Sequence, residues 1–127
     1  MNFLEIKDLG NGQIQVSWQR GNMTRNCPKS IPFENVFTPE DQKELRWYLE
    51  KFFSFPYGAE RWRAKQIEEK MEELGESLFK KVFPKCEFDP DPHEFYQEAV
   101  REGLDGCELC ITSEDPDFLN IPWELLR

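Results

Sequence analysis

The sequence predicts an α+β fold, on three observations. Apolar residues alternate on either side of Gly10-Asn11-Gly12, two later stretches repeat apolar residues at helical spacing, and a short β-type run, Cys107–Thr112, follows them. In the first stretch, Phe3–Lys7 and Gln13–Trp18 flank a Gly/Asn turn, the pattern of a hairpin. Ile14, Val16 and Trp18 fall on one face of the second strand, the face expected to be buried. From Asn22 to Phe37 no period is evident, and Cys27-Pro28, Ile31-Pro32 and Phe33 suggest an extended connector. The sequence thus divides into a hairpin and connector at 1–36 and a helical region at 37–127.

Thr38-Pro39-Glu40-Asp41 announces the first helix: Thr38 can cap, Pro39 suits the first turn, and the acids lie at the positive end of the dipole. Leu45, Tyr48, Leu49 and Phe52 follow at spacings of three and four and are expected to face a core. Phe53-Ser54-Phe55-Pro56-Tyr57-Gly58 ends the element. The longest helical signal runs from about Ala59 to Phe83, with Ala64, Ile67, Met71, Leu74 and Leu78 as its apolar stripe. It is too short for a coiled coil, and Gly75 within it suggests a kink or a close approach. Trp47, Tyr48, Phe52, Ile67, Met71, Leu74 and Leu78 are expected to form one core between these helices.

Asp91-Pro92-His93-Glu94 repeats the helix-start signal, Phe95, Tyr96, Ala99 and Val100 supply a stripe, and Gly103 suits a left-handed stop. After Cys107–Thr112 comes a polar loop, Ser113-Glu114-Asp115-Pro116-Asp117. A further helix is expected to start at Pro122, exposing Trp123, Leu125 and Leu126.

The composition fits one domain with a real core. The 127 residues are 39% hydrophobic and 14% aromatic, with eleven Phe and four Trp, too apolar for a disordered segment. A net charge of −9 repels phosphate backbones and anionic lipid, so no nucleic acid and no membrane is expected as a partner. No run reaches a membrane-spanning length, and Met1-Asn2-Phe3-Leu4-Glu5 lacks the basic flank and apolar core of a signal peptide. The expected compartment is the cytoplasm.

No constellation of residues assembles a complete reactive site. Cys107-Glu108-Leu109-Cys110 spells C-x-x-C, but on a strand residues three apart point to opposite faces and cannot easily share a metal or a bond. With His93 the only histidine, reduced thiols and no zinc are expected. Glu114, Asp115 and Asp117 lack the alternation and glycine of a calcium loop and read as a solvated acidic loop. His93 sits in a helix's first turn, where the dipole disfavours imidazolium and no nucleophile is near in sequence. Arg46, Arg61 and Arg63 beside Trp47 and Trp62 read as cation–π or salt-bridge packing amid acids. Gly10-Asn11-Gly12 precedes no helix and is no phosphate loop. No catalytic, cofactor-binding or metal-binding residue is assigned, and no cofactor is expected.

Three stretches, in order, resemble the CHAT family of caspase-like proteins. They are Glu44–Phe52, containing Leu45-Arg46-Trp47-Tyr48-Leu49-Glu50; Ala64–Phe83, with Ile67-Glu68, Met71, Gly75, Leu78-Phe79 and Val82-Phe83; and Leu109–Pro116 leading to Pro122-Trp123-Glu124-Leu125-Leu126. The match covers roughly Phe37 to Arg127. The resemblance implies a bacterial cytosolic protein and makes Cys107–Thr112 the first strand of a caspase-like α/β sheet. The family's His–Cys dyad lies downstream of the last motif, and neither His93 nor Cys110 corresponds to it. The protein is therefore expected to be a non-catalytic N-terminal scaffold, truncated relative to a protein that is itself a candidate cysteine peptidase. The alternative is a protein-binding or regulatory module without peptidase activity. The expected partner is the rest of its own polypeptide or another protein. Self-association through the C-terminal strand and helix start is also expected, unless Ile121–Arg127 folds back over its own strand.

Overall fold

A computed structural model describes residues 2–52 and 60–126 and confirms the α+β class. The segment Phe53–Gly58 lies outside the described residues, as does the side chain of Phe52. The protein forms two compact units: Met1–Glu34 with Lys80–Asn120, and Asn35–Phe79 with Ile121–Arg127.

The first unit is built on a mixed five-stranded sheet. Strands β1 (Asn2–Asp8) and β2 (Gln13–Arg20) pair antiparallel, with Leu4 opposite Trp18 and Ile6 opposite Val16. Their turn is closed by Leu9 N donating to the Gln13 carbonyl (2.9 Å) and Gly10 N donating to Asp8 Oδ1 (3.0 Å). Gly10 and Gly12 take φ of 91° and 77°, which explains glycine at both positions. The predicted face is the buried one: Ile14, Val16 and Trp18 are 1–2% exposed.

The stretch after Asn22 is not the extended connector the sequence suggests. It forms β3 (Met23–Asn26) and β4 (Ile31–Pro32), both antiparallel to β2. Every residue of β3 is exposed, so no face of it is selected to be apolar and period two leaves no trace. Pro32 is tolerated because β4 lies outside the main strand order.

Helix α3, the third in sequence order (Pro92–Glu102), packs against β1 and β2. Asp91 caps it, Oδ1 accepting from Glu94 N at 2.8 Å, while Oδ2 accepts from Cys86 N at 2.9 Å. Phe95 and Ala99 are fully buried, but Val100 is 47% exposed, because one residue past Ala99 is a rotation of about 100° away from the sheet. Gly103, φ 98°, stops the helix as expected, its N–H bonded to the Val100 carbonyl.

Strand β5 spans Cys107–Thr112, as read from the sequence, and runs parallel to β1 with Leu4 beside Leu109 and Ile6 beside Ile111. This pairing crosses the boundary drawn at 36/37 and puts the hairpin and the later strand in one sheet. The loop after β5 departs from expectation. Asp115 caps a short helix α4 (Pro116–Leu119), and the described residues from Pro122 form a 3-10 turn, Trp123–Leu125, in place of the expected helix. Phe118, 7% exposed, meets Phe33 edge-on at 5.5 Å, so α4 belongs to the core of this unit.

The second unit pairs α1 (Pro39–Trp47) with α2 (Glu60–Val82), whose residues through Phe79 belong to it. Ala64, Ile67, Met71 and Leu78 are 0–5% exposed, and Gly75 is buried within a helix that runs unbroken to Val82. Leu74 is half-buried. On the other helix the expected stripe fails at Leu49, which is 52% exposed. After Trp47 the backbone becomes a π-helical turn, Tyr48–Phe52, and its i→i+5 bonding shifts the phase of the stripe. Ile121–Arg127 clusters with this unit: Ile121 and Pro122 are buried, and Trp123, Leu125 and Leu126 are half-buried rather than exposed. The expected uncovered apolar end is thus corrected.

Thr38 and Asp41 form a reciprocal cap on α1: Asp41 N donates to Thr38 Oγ1 (3.1 Å) and Thr38 N to Asp41 Oδ2 (2.9 Å). Lys70 of α2 places Nζ 2.7 Å from Asp41 Oδ1. Burial raises the Asp41 carboxyl, but the close Lys70 ammonium and the hydrogen bonds with Thr38 outweigh it and hold the group below its ordinary value. Asp41→Ala is expected to cost about 1–3 kcal/mol at pH 7, for a cap and charged hydrogen bonds lost together. Because the folded pKa is depressed, this contribution is full above the unfolded value of about 4 and fades as pH falls through the folded value. Urea melts of wild type and variant should therefore differ at pH 7 and converge in acid; equal stabilities at pH 7 would show that the cap contributes nothing.

Candidate functional site

The most distinctive surface of the first unit is β5 and the sheet face beside it. Among the described residues β5 pairs with β1 alone, leaving its other edge without a strand. Parallel strands are usually interior ones, covered on both faces, whereas Leu109 is 39% exposed and Cys110 and Ile111 are half-buried.

Alternation separates the two cysteines of the C-x-x-C run. Leu109 and Ile111 stand in register with Leu4 and Ile6 of the buried face, which places Cys107 on that side and Cys110 on the other. Cys110 lines a cleft of about 300 Å³ with Phe3, Glu5, Ser17, Gln19 and Thr24. Glu5 organises this face, one carboxylate oxygen accepting from Ser17 Oγ (3.5 Å) and the other from Thr112 Oγ1 (3.1 Å). The cleft thus holds a thiol and a carboxylate, but His93 stands elsewhere, in the first turn of α3, and does not line it.

The surroundings of the thiols disfavour thiolate. All four cysteines are free, and burial is the first cause raising each pKa. Glu108 and Glu5 push Cys110 up further. Burial, followed by the charges of Asp91, Cys86 and Glu94, pushes Cys27 from 9.0 to about 12. A nucleophilic cysteine needs the opposite setting, a neighbouring cation or base that favours thiolate. At pH 7.5 Cys27 is expected to alkylate on the order of 10³-fold more slowly than an unperturbed thiol, three pKa units being three decades of thiolate. Mass spectrometry after timed labelling reads this, and Cys27 modified first would contradict it.

The other sequence candidates are placed singly. Asp115 Oδ1 accepts from Asp117 N (2.9 Å), and Ser113 Oγ accepts from Asp115 N (2.9 Å) while donating to Asp8 Oδ2 (2.7 Å). Asp115 is thereby a cap, and Glu114 and Asp117 are exposed. No group of three or more His, Cys, Asp or Glu among the described residues is placed to hold a metal. Arg63 stacks on Trp47, 4.0 Å from the ring centroid, the cation–π packing expected. Arg46 and Arg61 are exposed, and Trp62 is 68% exposed. Glu5 was invisible to sequence reading: its partners lie twelve and 107 positions away, and only strand pairing joins them.

Fold and site together define an α+β protein with a mixed sheet, one of whose parallel strands has a free edge among the described residues. No family model, curated protein or solved structure matches the sequence. None of the helices is long and apolar enough to cross a membrane, among the described residues.

Proposed function

We propose that this protein is the non-catalytic N-terminal portion of a bacterial, cytoplasmic, caspase-like protein of the CHAT type. In this reading it is a scaffold for a His–Cys dyad carried further along the polypeptide. One observation carries the reading: β5 runs parallel to β1, and its far edge has no strand among the described residues. A parallel sheet grows by adding strands at such an edge, and the partly exposed Leu109 and Ile111 are apolar enough for a covered position. The raised thiol pKa values support the non-catalytic part. The same edge supports the second reading, a protein-binding module whose partner is a separate polypeptide or a second copy.

Sedimentation across a dilution series tests the edge. The wild-type protein is expected to associate at high concentration. Leu109→Lys is expected to stay monomeric, because a charge on an edge strand opposes strand addition. A wild-type monomer at every concentration overturns β5 as a docking strand. The same preparation is expected to cleave nothing in a peptide library. Turnover abolished by Cys107→Ser or Cys110→Ser overturns the non-catalytic reading.

A further inference from the structure

A second groove, in the first unit and away from the β5 edge, has no part in that reading. It is a cleft of about 420 Å³ bordered by β2, β3 and the last turns of α3. Two ion pairs line it. Arg20 meets Glu102 at 2.9 Å, and Arg25 grips both oxygens of Glu98 at 2.9 and 3.0 Å. Arg25 also lies over the buried ring of Phe95, 5.4 Å from its centroid, which fixes the guanidinium from a second direction. These pairs bridge β2 and β3 to α3 and serve as the groove's walls.

Arg101 lines the same cleft and makes no ion pair or hydrogen bond among the described residues. Three guanidiniums against two carboxylates leave one positive charge, in a protein whose net charge is −9. The remaining lining is apolar: Trp18, 2% exposed, and Met23, 71% exposed. An exposed methionine adapts to varied apolar groups, and a guanidinium offers a planar fork that fits a carboxylate.

We propose that this groove binds a peptide carboxylate next to an apolar side group, with Arg101 holding the carboxylate and the exposed Met23 the apolar group. The charge count selects this ligand over phosphate. With Glu98 and Glu102 paired to Arg25 and Arg20, the groove offers one unmatched positive charge, which a carboxylate matches and a phosphate dianion exceeds. The volume lies in the range of small-ligand sites and suits a few residues of peptide. The carboxylate has two sources, the terminal carboxylate of a polypeptide or the side group of a glutamate or aspartate. The inference is independent of the scaffold reading and survives its failure.

The test is an NMR titration of the ¹⁵N-labelled 127-residue protein with three short peptides. Acetyl-Ala-Leu-Leu has a free terminal carboxylate, acetyl-Leu-Leu-Glu amide has only the carboxylate of its glutamate, and acetyl-Leu-Leu-Gln amide has none. At least one carboxylate peptide is expected to shift the Trp18 indole N–H and the Met23 amide saturably, and the one that does so identifies the source. The neutral peptide is expected to bind about tenfold or more weakly, and affinity is expected to fall with added salt. Arg101→Gln, an exposed position, is expected to lose about tenfold in affinity while the rest of the spectrum is unchanged. No saturable shift at millimolar carboxylate peptide overturns the proposal. So does equal binding of the neutral peptide, undiminished binding by Arg101→Gln, or tighter binding of inorganic phosphate.

Discussion

Phe95→Ala is expected to destabilise the first unit by about 3–5 kcal/mol, the range for a large aromatic removed from a packed core. Phe95 is fully buried on the side of α3 that packs on the sheet, where the lost ring leaves a cavity between helix and strands. Arg25 also loses the ring face that supports it, although its bidentate pair with Glu98 remains. Amide hydrogen exchange in β2 reads the effect on this unit by itself. Val100→Ala, on the exposed side of the same helix, is expected to stay within about 0.5 kcal/mol, the ordinary surface spread. Similar losses from the two substitutions would show that α3 presents a different face to the sheet.

In the second unit Leu78→Asp is expected to cost more than about 4 kcal/mol, because it places an unpaired carboxylate where Leu78 is fully buried. Leu49→Asp, which the helical spacing alone marks as equally damaging, is expected to stay within about 0.5 kcal/mol at its 52% exposed position. Urea denaturation followed through the amides of α2 distinguishes them. A large loss at Leu49 would restore a continuous α-helical stripe through Tyr48–Phe52 in place of the π-helical turn.

The contrast between Leu78 and Leu49 shows where local pattern suffices. Both lie in runs with apolar residues three and four apart. Helix α2 keeps its α-helical period to Val82, so its stripe stays in phase, whereas α1 gives way after Trp47 to a turn of different pitch. Strand β3 escapes sequence reading for a related reason: with every residue exposed, nothing selects apolar residues at alternate positions. The short helix α4 escapes it because Ser113–Asp117 reads as solvated acids, while its anchor is the single ring of Phe118 against Phe33.

Local pattern suffices for the hairpin and its buried face, the caps at Thr38 and Asp91, the stop at Gly103, the long helix α2 and the strand Cys107–Thr112. Each rests on residues within a few positions of one another, where turn chemistry, capping and period act directly. It also separated Cys107 from Cys110, since alternation along a strand needs no knowledge of the partner. That β5 lies parallel to β1, joining the first strand to one about a hundred residues later with no strand on its far edge among the described residues, has no trace in local pattern. Only the tertiary structure brought Ser17 and Thr112 to Glu5, and Arg20 and Arg25 to Glu102 and Glu98. Such pairings follow from strand register and helix placement, which minimise exposed apolar area over the whole unit, and a charged residue bears no local mark of the distant one it will meet.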